Sequence, residues 1–259
     1  MFAGRDELIT TMTSKDCLSN SLSSFPNIDF LVNFGNQIKT STQYFVPSNK
    51  GTALSMKVLI INGSPRKNGN TTIALKEIAN QLEKLGIESE TVRIGTQAVH
   101  GCIACNKCKE NPGRCVFDDD VCNSISKKME ESDALIVGSP VYYGQPSGSV
   151  LSVIQRMFHS NGEAVMGKPA AAVAICRRGG STTAFQTLNM PFLMMDMPVV
   201  SSQYWNIVFG RQEGDAALDA EGLQTMRTLA NNMAAMLKAT QGKPAPGSDE
   251  PWAMMNFIR

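Results

Sequence analysis

A chain of 259 residues, 42% of them hydrophobic, is long enough for one α/β domain with extensions or for two small domains. A formal net charge of +1 with 18% charged residues sets up no field that would select nucleic acid or an anionic membrane, and no apolar run approaches the roughly 18 residues that cross a bilayer. Arg5, Asp6 and Glu7 break any signal-peptide plan, and seven cysteines, four in one cluster, fit a reducing cytoplasm better than a secreted disulfide framework.

Residues 1–55 are rich in Ser, Thr and Asn, with scattered hydrophobics such as Phe25, Phe30 and Phe34 and no sustained period. They are expected to be a disordered extension, or to precede a true translation start at Met56, which stands directly before the first convincing strand. From there strand and helix alternate through a domain at 56–240, the pattern of a parallel sheet covered on both faces. Residues 58–61 predict strand one. Residues 70–85 predict a helix, with Ile73, Ala74, Ile78, Leu82 and Leu85 at helical spacing and Gly86 closing it. Strand two is expected at 90–94, a cysteine-rich insertion at 100–118 and a helix at 121–131. Strand three follows at 133–138, a helix at 148–158, strand four at 170–176, a helix at 183–193, a short strand five at 199–201 and a long helix at 219–238. Five strands in this succession suit the order 2-1-3-4-5, whose ligand sits at the carboxyl ends of strands one and three, where strand order reverses. The tail 241–259 carries Pro244, Pro246 and Pro251 and then Trp252 and Phe257, a linker with an apolar end that packs either on its own domain or on a neighbour.

Strand one runs into Gly63-Ser64-Pro65-Arg66-Lys67-Asn68-Gly69-Asn70-Thr71-Thr72. Gly63 and Gly69 allow tight turns, the following helix offers unpaired N–H groups, and Ser64, Arg66, Asn68, Asn70, Thr71 and Thr72 add side-chain donors, which together make a phosphate cradle. A nucleoside-triphosphate loop of the G-x-x-x-x-G-K-[ST] kind is absent, because Asn68 stands at the second Gly position. The dinucleotide pattern G-x-G-x-x-G fails too, because Pro65 replaces the Gly that lets a pyrophosphate approach. A terminal monophosphate fits.

Gly63-Ser64-Pro65-Arg66 followed by Gly69-Asn70-Thr71 resembles the N-terminal signature of the NADPH-dependent FMN reductase and iron-sulfur flavoprotein group. That resemblance implies a flavodoxin-like fold, with this loop holding the FMN 5′-phosphate. Strand three ends in Gly138-Ser139-Pro140-Val141-Tyr142-Tyr143-Gly144, which the switch-point rule brings beside the loop. In the same family a Ser-Pro-Val-Tyr-Tyr-Gly segment holds the flavin ring, so Pro140, Val141, Tyr142, Tyr143 and Gly144 are its expected wall. Strand four ends in Cys176-Arg177-Arg178-Gly179-Gly180. Two guanidinium groups on flexible Gly179 and Gly180 suit the pyrimidine side of a reduced, anionic flavin, the phosphate of a nicotinamide cofactor, or solvent.

Cys102, Cys105, Cys108 and Cys115 form a C-x2-C-x2-C-x6-C set in which a Gly-containing loop brings the fourth thiol round to the first three. The set resembles the compact cluster motif of iron-sulfur flavoproteins, which implies a [4Fe–4S] cluster; free redox-active thiols and zinc stay open beside it. Lys107, Lys109 and Arg114 would offset thiolate charge, and Asp118, Asp119 and Asp120 read as a helix N-terminal cap. The only two histidines, His100 and His159, assemble no Ser-His-Asp or zinc pattern. The expectation is an FMN oxidoreductase that accepts electrons from NAD(P)H and passes them to a small acceptor. The rivals are an iron-sulfur electron carrier reduced by ferredoxin and a thiol or flavin redox sensor. The resemblance further implies a homodimer or homotetramer.

Overall fold

The structure, a computed structural model, describes residues 55–247, 250 and 251. The Ser-rich N-terminal segment and the apolar end of the tail lie outside these residues.

The strands follow the apolar runs. β1 (Lys57–Asn62), β2 (Glu88–Arg93), β3 (Ala134–Tyr142), β5 (Ala170–Cys176) and β6 (Ile207–Phe209) form a parallel sheet in the order β2-β1-β3-β5-β6, and the two-residue β4 (Gln145–Pro146) pairs antiparallel with β3. With β4 set aside, this is the expected order 2-1-3-4-5. The central strands β1, β3 and β5 are buried almost throughout, as both-face coverage demands.

Alternation along β1 divides the core. Val58 and Ile60 face one layer, with Leu75, Ile78 and Leu82 of α1 (Asn70–Lys84) and Met226, Leu229 and Met233 of α5 (Ala220–Thr240). Leu59 and Ile61 face the other, with Ile125 and Met129 of α2 (Cys122–Glu130), Val153 and Met157 of α3 (Gly148–Ser160), and Leu188 and Phe192 of α4 (Ser181–Met194). Each fully buried Leu, Ile or Phe contributes roughly 1.5–3 kcal/mol of transfer free energy, so the sheet edge that carries the loops is a rigid platform.

Two expectations are corrected. Strand five is not at 199–201: Val199 makes only an isolated parallel bridge to Ala170, and the edge strand is β6. The chain leaves the ladder there because Asn206, 1% exposed, supplies the next rungs, its side-chain amide donating to Ala172 O at 3.0 Å and its carbonyl accepting from Ala174 N at 3.0 Å. Strand three does not stop at Gly138 either. It continues to Tyr142 and folds back through Tyr143 (φ 50°) and Gly144 (φ 79°), the two positive-φ residues of a tight hairpin turn, into β4.

Candidate functional site

The loops after β1, β3 and β5 meet at one edge of the sheet because parallel strands place all their carboxyl ends there. The contacts between the first two loops are short. Gly63 N donates to Gly138 O at 2.8 Å, and Ser147 Oγ donates to Gly63 O at 2.8 Å. A Cβ on Gly63 would stand 2.9 Å from Val150 Cβ, and one on Gly138 would stand 2.7 Å from Leu75 Cδ2, so both positions need glycine for closeness.

Helix α1 starts without a side-chain cap: its N-cap residue is Gly69. The backbone N–H groups of Asn68, Gly69, Asn70 and Thr71 have no acceptor within the described protein. Thr71 is 2% exposed as a residue, and its hydroxyl has no partner among the described residues. Four backbone donors and a neighbouring hydroxyl at a positive helix end make a candidate anion site, the arrangement a phosphate group would satisfy. The other residues of the loop have different employments. Asn62 Oδ1 accepts from Ser64 N at 2.9 Å, and Ser64 Oγ accepts from Arg66 N at 3.2 Å, which shapes the turn. Thr72 Oγ1 donates to Lys67 O at 2.9 Å and accepts from Asn62 Nδ2 at 3.0 Å. Asn70 donates to Gln212 O at 2.8 Å and accepts from Ala216 N at 3.1 Å, clasping the segment before α5. Asn70 therefore brings its backbone N–H, not its side chain, to an anion, while Thr72 is spent within the loop, its own N–H donating to Gly69 O at 2.9 Å. Arg66 and Asn68 are exposed at the rim.

The β3–β4 hairpin stands beside this loop, with Pro140 and Val141 half-buried, Tyr142 exposed and Tyr143 fully projecting. Ser139 Oγ accepts from Ser147 N at 2.9 Å and holds the hairpin base. Gly180 (φ 82°) is the N-cap of α4, and a Cβ there would meet Gly144 Cα at 2.8 Å, so the third loop packs flush against the hairpin turn. Arg177, Arg178 and Gly179 are exposed, and neither guanidinium has a partner among the described residues. Behind them Cys176 is buried, which pushes its thiol above the ordinary range.

The cysteine insertion lies between β2 and α2. Cys102, Cys105, Cys108 and Cys115 all line one small cavity, together with Ile103, Phe117, Arg156 and His159. No three or more His, Cys, Asp or Glu side chains among the described residues are grouped to hold a single metal ion. The loop takes its shape from left-handed residues Ala104 (φ 51°) and Asn106 (φ 59°) and a short 3-10 turn, Lys107–Lys109. Asn123 braces the second half, donating to Cys115 O and Phe117 O and accepting from Cys115 N. His100 stacks on Phe117 at 4.3 Å between ring centroids, with Nε2 3.2 Å from Asp119. Asp120 Oδ1 accepts from Cys122 N at 2.9 Å, at the first residue of α2.

Arg156, on α3, is the functional-site residue that the sequence reading omits. Only 1% exposed, it pairs through Nη1 with Asp120 and donates to His100 O, Phe117 O and Cys115 Sγ, the last two at 2.9 and 3.2 Å. Burial alone would raise the Asp120 carboxyl, but the hydrogen bonds from Arg156, Cys122 N and His100 N and the guanidinium charge hold it below the usual carboxylate range. Burial alone would likewise lower Arg156, and Asp120 and Cys115 more than offset this. Cys122 is a core residue, its thiol pushed up to about 12 by burial. The signal for Arg156 was present: Val153, Arg156, Met157 and Ser160 fall at helical spacing on the buried stripe of α3.

A doubly wound sheet with an open anion cradle at its switch point defines the flavodoxin-like class. The described structure matches that of RosB with a bound flavin-phosphate intermediate, at a TM-score of 0.60 and 16% identity over 79% of this chain and 92% of that one. It also matches a WrbA-like flavodoxin from Agrobacterium tumefaciens, at 0.51 and 16% over 73% of this chain and all of that one. The family model for NADPH-dependent FMN reductase matches residues 56–212. The chain belongs to that family of flavoprotein oxidoreductases, and within it stands beside the iron-sulfur flavoproteins. It is 38% identical to an iron-sulfur flavoprotein of Methanocaldococcus jannaschii over 191 residues, 71% of this chain and 98% of that protein. An iron-sulfur flavoprotein of Methanosarcina thermophila is 29% identical over 192 residues, 72% of this chain and 97% of that protein. Among the described residues no helix is long and apolar enough to cross a membrane.

Proposed function

We propose that the protein binds one FMN, with its phosphate on the loop 63–72 and its ring against the β3–β4 hairpin, and oxidises NAD(P)H to reduce a small acceptor. The observation that carries this reading is the uncapped start of α1, with four N–H groups that have no acceptor among the described residues and the hydroxyl of Thr71 beside them. When bound, FMN supplies what no side chain has: acceptance of a hydride, and release of electrons one or two at a time. The chain's own residues bind and orient. Gly63 and Gly138 bring the two loops together, the hairpin offers Pro140, Val141 and Tyr142 as a wall, and Gly180 lets the Arg177–Arg178 loop close against Gly144. Exposed, unpaired guanidinium groups at that loop suit an anionic flavin edge or a nicotinamide phosphate.

The four cysteines fit a [4Fe–4S] cluster, since all of them face one cavity and four thiolates are the donor set such a cluster takes. Exposed Lys107 and Lys109, which have no ion-pair partners among the described residues, favour a second reading in which an acidic, ferredoxin-type protein delivers electrons to the cysteine centre. The exposed Met190, Leu193 and Met194 on α4 suit a subunit contact in a dimer or tetramer.

Protein purified without oxygen should contain one flavin per chain, released as FMN, and four irons with matching acid-labile sulfide. Anaerobic mixing with NADPH should then bleach the flavin band. Bleaching by reduced ferredoxin alone would favour the carrier, and protein without flavin would overturn the proposal.

A further inference from the structure

Arg156 satisfies the two ends of the cysteine insertion from a rigid helix. Its guanidinium reaches His100 O before the first cysteine, Cys115 Sγ at the last, Phe117 O just beyond it, and the Asp120 carboxylate at the entry to α2. The division of donors is informative. A guanidinium serving only as a counter-ion pairs with a carboxylate through two parallel N–H groups, but here the contact with Asp120 is through Nη1, and Nε, the donor fixed by the side-chain stem, is spent on sulfur at 3.2 Å. A buried ion pair contributes little net stability over apolar residues of the same size, and this one sits in a helix stripe that is apolar apart from Ser160 at its end. The fold alone therefore does not call for an arginine.

We infer that Arg156 is a positioning residue for the centre held by Cys102, Cys105, Cys108 and Cys115, fixing the Cys115 sulfur and setting that centre's reduction potential through the Nε–H to Sγ hydrogen bond. The inference rests on the cluster reading given above. Hydrogen bonds to ligating sulfur stabilise the more negative, reduced form and so raise the potential. Lysine keeps the positive charge for Asp120 but has no donor at the Nε position, which makes Arg156→Lys the discriminating variant.

The test uses wild-type protein, Arg156→Lys and, should the lysine variant fail to retain flavin, the neutral pair Arg156→Gln with Asp120→Asn. Each is prepared without oxygen, assayed for iron, sulfide and FMN, and titrated with dithionite while the reduced centre is followed by electron paramagnetic resonance. The expected result is a flavin-loaded variant whose centre is harder to reduce by about tenfold in equilibrium constant, a potential about 59 mV lower for one electron, or one that keeps FMN but loses iron because Cys115 is misplaced. An iron-loaded variant with the wild-type potential and spectrum would overturn the role of Arg156. Iron-free wild-type protein would instead overturn the cluster reading, and with it this inference.

Discussion

The loop 63–72 and the cysteine loop are both attached to the same sheet, yet they are built on opposite plans. The loop 63–72 is shaped by what glycine omits: Gly63 passes close to Val150 and Gly138 leaves room for the Leu75 side chain of α1, and the groups proposed to bind are main-chain N–H groups left open because no side chain caps α1. The insertion 100–118 is shaped by what one side chain supplies, since its ends hang on Arg156 and its cysteines are exposed or half-buried. A cradle made of backbone tolerates changes to its exposed side chains. A loop strung on one buried charge does not.

The largest effect should come from removing that charge. Arg156→Met leaves the Asp120 carboxylate buried without its partner and should cost about 3–5 kcal/mol in urea unfolding, with much of it recovered by adding Asp120→Asn. A cost under about 1 kcal/mol would break the comparison, because the cysteine loop would then stand without its anchor. Next is Thr71→Val, which keeps shape and removes the hydroxyl: FMN affinity should fall by about 1.5–3 kcal/mol, roughly 10- to 150-fold in Kd, with riboflavin affinity unchanged. Arg66→Ala and Asn68→Ala at the rim should weaken FMN far less, which sharpens the claim that backbone groups dominate. Gly63→Ala forces a Cβ against Val150 and should cost about 1–3 kcal/mol of stability while the iron content of the cysteine loop stays intact.

The smallest effect is on pH dependence. The Asp120 carboxyl is held below its ordinary value in the folded protein, so its contribution is fully present above the unfolded carboxylate pKa of about 3.9 and is lost as pH falls through the lower folded value. The stability difference between wild type and Asp120→Asn, measured by urea unfolding from pH 6 downward, should be flat to about pH 4 and shrink below it.

Much of the fold could be read from pattern, since β1, β3 and β5 are continuous apolar runs and each loop that follows them is rich in Gly and Ser. Strand β6 escaped because Val199-Val200 and Ile207-Val208-Phe209 are both short runs of β-branched or aromatic residues; only the tertiary contact of Asn206 with β5 decides between them. The hairpin escaped because Tyr143 adopts positive φ without being glycine or asparagine. At the candidate site, the Gly- and Asn-rich loop after β1 was visible because its pattern is local. Asn70 clasping Gln212 and Arg156 reaching Cys115 were not, because both are contacts between residues far apart in sequence, and a lone arginine in a helix ordinarily faces water.

The central claim is that the open start of α1 holds a flavin by its monophosphate. Titration of flavin-free protein with FMN and, separately, with riboflavin, followed by quenching of flavin fluorescence, tests it directly. One FMN per chain, with riboflavin bound at least a hundredfold more weakly, is the predicted result; equal affinity for the two, or no binding of FMN, would contradict it.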